Sequence, residues 1–140
     1  MIENNSFSQT IDLLHRSMSA TTLRQAVYAN NFANVNVPNF RRTEVTFESQ
    51  LGRAIDSHRT RPALMLNQTH PDHISNWQPM DPQEVRPRRV LDFLSQTDNN
   101  GNNVDPDEEF NLLLKNQLRY ILLTQMATFE FSQINMIARG

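Results

Sequence analysis

Cysteine is absent from this sequence, which excludes disulfides, thiolate catalysis and sulfur-ligated zinc. The absence fits any redox compartment. Glycine occurs only three times, so no glycine-rich loop is available to cradle a phosphate. No run approaches the ~20 apolar residues that a membrane-crossing helix needs, and the chain is expected not to span a membrane. Residues 1–10 have neither a basic start nor a long apolar run, so no cleavable secretory signal is read there. Charge of neither sign dominates. The 13 Lys and Arg against 15 Asp and Glu leave a net charge of -2, which favours neither nucleic acid nor an anionic membrane. Apolar content of 38% and a mean hydropathy of -0.59 are modest, so a large self-contained core is not assured for 140 residues.

What is present divides into three stretches: 1–40, 41–104 and 105–140. The first has no proline or glycine before Pro38. Ser6 and Gln9 have capping-box spacing, which starts a helix near Phe7. Phe7, Ile11, Leu14, Met18, Thr21, Gln25, Tyr28, Phe32 and Val35 then recur in steps of four and three, the spacing of a coiled-coil-like seam. Pro38 disfavours helical geometry at Val37, so this helix stops near Asn36. The last stretch repeats the pattern. Asp105 is placed to cap, Pro106 suits the first helical position, Glu108 completes a box, and the acids around it complement the helix dipole. Phe110, Leu113, Gln117, Tyr120, Thr124, Ala127, Phe131, Ile134 and Ala138 form its seam. The middle is irregular, with five of the seven prolines between residues 61 and 87. It offers one short helix, capped by Thr46 and carrying Phe47, Leu51, Ala54 and Ile55 on one side. Residues 64–66 and 90–91 are candidate short strands. Residues 98–103 read as a turn-rich loop.

The expected fold is therefore mainly α, with two long terminal helices paired as a hairpin and an irregular lobe between them. Polar seam residues such as Thr21, Gln25, Gln117 and Thr124 fix register at a cost in stability, so a lone hairpin should be marginal. The second helix also has more apolar surface than one partner can cover. Leu112, Leu113 and Leu114 span about 200° of its circumference at ~100° per residue. Ile121, Leu122 and Leu123 span a second arc, and Phe129 and Met136 lie off the seam. Such a helix is buried by several neighbours, and with one other long helix in the chain, those neighbours are expected to be other chains. The competing reading is a monomeric bundle whose middle supplies extra helices.

Chemistry finds little purchase. His70 and His73 sit in a proline-rich loop with no evident third metal ligand. His15 and His58 are isolated. Residues 96–107 depart from a calcium loop, with Gln96 and Asp107 at key ligand positions and Pro106 intruding. Arg86-Pro87-Arg88-Arg89 lacks an aromatic stacking platform. No catalytic residue, metal site or cofactor is expected, and the chain reads as a non-enzyme.

Ala29-Asn30-Asn31-Phe32-Ala33-Asn34-Val35-Asn36-Val37-Pro38-Asn39-Phe40 resembles the signature of flagellar rod, hook and hook-associated proteins, roughly A-N-N-apolar-A-N-x-x-T-P-G-Y. Ala29, Asn30, Asn31, Ala33, Asn34 and Pro38 match, and Phe32 fills the apolar slot. Val37, Asn39 and Phe40 stand where the pattern has Thr, Gly and Tyr. Asn39 tolerates left-handed geometry better than most residues. Residues 40–48 look like the family's continuation. Asn100-Gly101-Asn102-Asn103-Val104-Asp105 and Asn116-Gln117-Leu118-Arg119-Tyr120 are similar to proximal rod members in particular. The resemblance implies a structural subunit of the bacterial flagellar basal-body proximal rod, linking the MS ring to the rest of the rod and transmitting torque. It implies a periplasmic location after type III export, and as partners the MS ring, the adaptor FliE, the export apparatus, copies of itself and other rod proteins. It implies no nucleic acid and no small-molecule substrate. Phe7 and Ile11 fit the family's export-gate motif. The residues expected to pack in assembly are Phe7, Ile11, Leu14, Met18, Tyr28, Phe32, Val35, Phe110, Leu113, Leu114, Tyr120, Ile121, Leu122, Phe131 and Ile134. The alternative is a coiled-coil adaptor unrelated to flagella.

Overall fold

The computed structural model describes residues 6–60, 69–70, 72–73, 77–95 and 98–139. Helix α1 spans Ser6–Ala33, strand β1 Thr43–Thr46, helix α2 Glu48–Arg59, strand β2 Arg88–Leu91 and helix α3 Pro106–Arg139. The candidate strand at residues 64–66 lies outside the described residues, as does the Ser6 side chain of the first capping box. Residues 1–45 and 87–140 cluster as one compact unit and residues 46–86 as another.

In the first unit α1 packs against α3. The two run antiparallel. Phe7 meets Phe131 edge-on at 6.0 Å between ring centroids, and at the far end Asn31 reaches Glu109. At 1.5 Å per residue, α1 is about 42 Å long and α3 about 51 Å. Asp105 starts α3 as its sequence promises, its Oδ1 accepting from the backbone N–H of Asp107 at 2.9 Å and of Glu108 at 3.3 Å. Glu108 differs from expectation. Its carboxylate accepts from Arg42 Nη1 at 3.2 Å, because a charge partner outweighs the local box.

The buried line on α1 also departs from the seam read from sequence. Leu14 and Thr21 are buried on that seam, but Ala20, Arg24, Val27 and Asn31 form a second buried line, about 100° round the helix at ~100° per residue. Phe32 is left exposed. The cause is a second neighbour for α1. Arg24 Nη2 donates to Val45 O at 3.3 Å, and Asn31 contacts Thr43, so the β1 region covers that side. Strand β1, absent from the sequence reading, pairs with β2. The Asp92 N–H donating to Arg42 O at 3.0 Å continues the pairing at one end.

In the second unit α2 buries Ala54, and Phe47 and Val85 are buried as well. Phe47, not Thr46, is the residue before the first turn, and no side chain caps it. The Thr46 hydroxyl accepts from Gln50 Nε2 at 3.3 Å instead. Ser57 ties the helix to residues 77–80, accepting from Trp77 Nε1 through its carbonyl at 3.2 Å and from the Met80 N–H through its hydroxyl at 2.9 Å.

Candidate assembly surface

Three parts of the first unit meet where α1 ends, β1 begins and α3 starts, and the joint is polar. Asn31 has no exposed surface. Its amide mimics a strand, with Nδ2 donating to Thr43 O at 2.9 Å and Oδ1 accepting from the Thr43 N–H at 3.0 Å. Nδ2 also reaches Glu109 Oε2 at 3.2 Å. Glu109 is likewise fully buried, and Arg42 Nε lies 3.2 Å from its Oε1. Arg42 is the hub, with Glu108 at 3.2 Å, Glu44 at 3.3 Å and Asp92 at 3.9 Å. Burial pushes the Glu109 carboxyl above its ordinary pKa, against the Asn31 hydrogen bond and the Arg42 charge. Burial also acts to lower Arg42, but Glu109, Glu108 and Glu44 outweigh it and hold the guanidinium above its usual value. A buried ion pair fixes geometry more than it adds stability.

The asparagine-rich loop closes the end of α1. Asn102 Nδ2 points at three carbonyls of the turn that follows α1, Asn34 O at 3.0 Å, Val35 O at 2.8 Å and Val37 O at 2.9 Å, of which Asn34 O and Val37 O also accept from the Val37 and Phe40 N–H groups. Its Oδ1 accepts from the Val104 N–H at 2.8 Å. Asn39 adopts φ 59° and Gly101 φ 78°, and a Cβ on Gly101 would stand 2.5 Å from Asn39 Oδ1. Asn103 Oδ1 accepts from the Arg42 N–H at 2.7 Å, and its Nδ2 donates to Asp92 O and Ser95 Oγ. Asp92 Oδ1 in turn accepts from the Leu94 and Ser95 N–H groups. Hydrogen bonds from Ser95 and Leu94 hold its carboxyl below its ordinary pKa.

Helix α3 has two apolar faces. One carries the buried Glu109 and Asn116 and the half-buried Leu113, Leu123 and Ala127 toward α1. Asn116 Nδ2 donates to Thr21 O at 2.8 Å and reaches Gln25 Oε1 at 3.2 Å. The other face carries Phe110, Leu114, Leu118, Ile121, Leu122 and Phe129, all exposed. Farther along, Met136 and Ile137 are 74% and 80% exposed. Between α1 and α3 lies a cleft of about 440 Å³, lined by Thr21, Thr22 and Gln25 on one side and Asn116, Gln117, Tyr120 and Ile121 on the other. A continuous exposed apolar stripe of this kind marks an interaction surface. Among the described residues nine buried ones are polar or charged and eight apolar, so polar side chains make up half of the interior.

Residues 13–41 match the family model described as flagella basal body rod protein. The chain is 37% identical over 135 residues to the flagellar basal body rod protein FlgB of Borreliella burgdorferi, covering 96% of this chain and 99% of that one. The FlgB of Borrelia hermsii is 39% identical with the same coverage, and that of Bacillus subtilis is 28% identical over 134 residues. The chain belongs to the flagellar basal body rod protein FlgB family. It is a structural component of the rod, which assembles with other rod components, and it is not an enzyme. No helix among the described residues is long and apolar enough to cross a membrane, and no group of three or more metal-binding side chains occurs among them.

The family signature thus falls at the polar joint. Asn31 is buried, Asn34 Nδ2 donates to Asn30 O at 2.7 Å, and Phe40 is half-buried. Ala29, Asn30, Ala33 and Pro38 are exposed. Of the residues named from sequence for packing, Leu14 is buried. Phe7, Ile11, Met18, Tyr28, Val35 and Leu113 are half-buried, and burial pushes the Tyr28 hydroxyl up. Phe32, Phe110, Leu114, Tyr120, Ile121, Leu122, Phe131 and Ile134 are exposed. Sequence reasoning missed Arg42 and Glu109, reading the latter as one of the acids that complement the helix dipole, and missed the exposed pair Phe93 and Leu94. An acid inside an otherwise capped first turn was the one available signal for Glu109.

Proposed function

We propose that this rod component builds the proximal rod by inter-subunit helix packing, linking the MS ring to the rest of the rod and carrying torque between them. It acts in the periplasmic space after type III export, with FliE and neighbouring rod proteins as partners. The observation that supports this reading is the outward face of α3, where Leu118 and Leu122 are 63% and 59% exposed on the helix side away from α1. Burying such side chains is worth about 1.5–3 kcal/mol each, which is available only when neighbours supply the cover. Among the described residues, the middle stretch between α1 and α3 contributes one short helix, α2. The packing residues named above divide the work, with Phe7, Leu14 and Leu113 joining the hairpin and Phe110, Leu114, Ile121 and Leu122 facing neighbours. Phe7 and Ile11 also serve as the export-gate motif. The test is a Leu118→Asp, Leu122→Asp variant expressed in the parent bacterium. Secretion should persist while incorporation into basal bodies and motility are lost. Motile cells with normal basal bodies would overturn the proposal.

A further inference from the structure

The most exposed large apolar side chain among the described residues is not on α3. It is Leu94, 99% exposed, beside Phe93, 71% exposed, at the tip of the turn that comes after β2. This tip is held in place from behind. Asp92 accepts from the Leu94 and Ser95 N–H groups at 2.9 and 3.1 Å. The Asp92 N–H is bonded to Arg42 O, and Asn103 Nδ2 ties Asp92 O and Ser95 Oγ to the start of α3 at 3.0 and 2.8 Å. Two large apolar groups fixed outward on a braced turn meet a partner with little ordering cost.

The same unit carries a concave counterpart. The cleft of about 440 Å³ between α1 and α3 is lined by uncharged residues, Thr21, Thr22, Gln25, Asn116, Gln117 and Tyr120 among them. That volume lies within the ~300–1,000 Å³ of sites that enclose small apolar groups. Beside it, the buried Asn116 Oδ1 has no hydrogen-bond partner among the described residues. The Phe93-Leu94-Ser95 tip is uncharged, as a neutral cleft requires.

Symmetry selects the occupant. Were the outward face of α3 to meet the same face of another copy, the contact would close as a two-fold dimer, so within a rod that face packs on a different surface of its neighbours. A rod grows only through contact between two different surfaces, one at each end of the repeat. The tip and the cleft are two different surfaces of opposite shape on one chain. Resting on the reading of this chain as an assembling rod subunit, we propose that Phe93 and Leu94 of one copy seat in the α1–α3 cleft of the next copy.

The absence of cysteine makes the test direct. Cells would carry two single-cysteine copies, Leu94→Cys and Gln117→Cys, and basal bodies isolated from them would be treated with a short bis-maleimide. A dimer formed only when both variants are present supports the proposal, and Gln25→Cys in place of Gln117→Cys should give the same dimer. Dimers of Leu94→Cys with itself, or none while both variants are present in the basal bodies, overturn the tip-in-cleft contact and leave the rod reading standing. Absence of even the unaltered chain from basal bodies overturns the rod reading itself. Leu94→Asp should lower incorporation about tenfold or more, the loss expected of a contact that anchors an interface. The circular dichroism of the free chain should not change, since Leu94 is almost wholly exposed. Undiminished incorporation also refutes the contact.

Discussion

Replacing Arg42 should damage the fold more than replacing its buried partner Glu109, and removing both should cost less than removing Arg42 alone. Arg42→Met leaves Glu109 with no exposed surface and only the Asn31 amide, 3.2 Å away, to face its charge. Breaking a buried pair this way costs about 3–5 kcal/mol. Glu109→Gln keeps the size of the side chain and an oxygen for Asn31. Arg42 still has Glu108 at 3.2 Å and Glu44 at 3.3 Å, so the loss falls near ~1.5–3 kcal/mol, that of a hydrogen bond to a charged group. Arg42→Met combined with Glu109→Leu leaves no uncompensated charge, and Asn31 retains Thr43 on both sides of its amide. The coupling between the two positions should therefore reach ~2 kcal/mol in favour of the double variant. Urea unfolding monitored by circular dichroism, at low temperature with a stabilising osmolyte, measures all three. Equal losses at the two positions, or strict additivity, would show that the cluster is not the joint described.

Three further outcomes are expected in the same unit. Asn102→Ala removes the amide facing Asn34 O, Val35 O and Val37 O and should cost about 1–3 kcal/mol, from two or more lost hydrogen bonds; unchanged hydrogen exchange in residues 34–40 would contradict the capping role. Gly101→Ala places a Cβ 2.5 Å from Asn39 Oδ1 at φ 78° and should cost about 1–3 kcal/mol, read by the same urea titration, with a neutral result excluding the left-handed turn. Glu109 is raised above its ordinary 4.5 by burial, so its favourable share of stability is complete below that pH and is lost as pH climbs through the raised folded value. Glu109→Gln should abolish this decline, whereas Asp92, held low, acts oppositely and only as pH falls below its ordinary 3.8. An unaltered slope above that point in the Gln variant would refute the assignment.

What was legible in the sequence was local or periodic. Asp105, Pro106 and the acids after them specify a helix start by chemistry within one turn, and the structure keeps that cap. The three- and four-residue spacing of apolar side chains announces two long helices, which pair. The short helix at residues 48–59 and the strand around Val90 were also visible. Strand β1 was not, since the four residues Thr43–Thr46 have little pattern of their own and gain their strand from β2, more than forty positions later. Glu109 looked like a dipole-complementing acid because its reason for burial, Arg42, is remote in the chain. The drift of the buried line on α1 toward Arg24 and Asn31 has the same origin: a second neighbour that periodicity does not report. Asn102 and Asn103 were noticed as a motif, but their work as caps depends on where the end of α1 comes to rest.

The outward face of α3 is where helix packing as the means of assembly is most open to measurement. Single cysteines at Leu118, Leu122 and Phe129 would be labelled with a maleimide in the free chain and in isolated basal bodies. Labelling should be fast in the free chain and slow by about tenfold or more in the rod, as water is excluded from a packed contact. Equal labelling of all three positions in the two states would mean that neighbours leave this surface bare, and that the chain does not build a rod through this face.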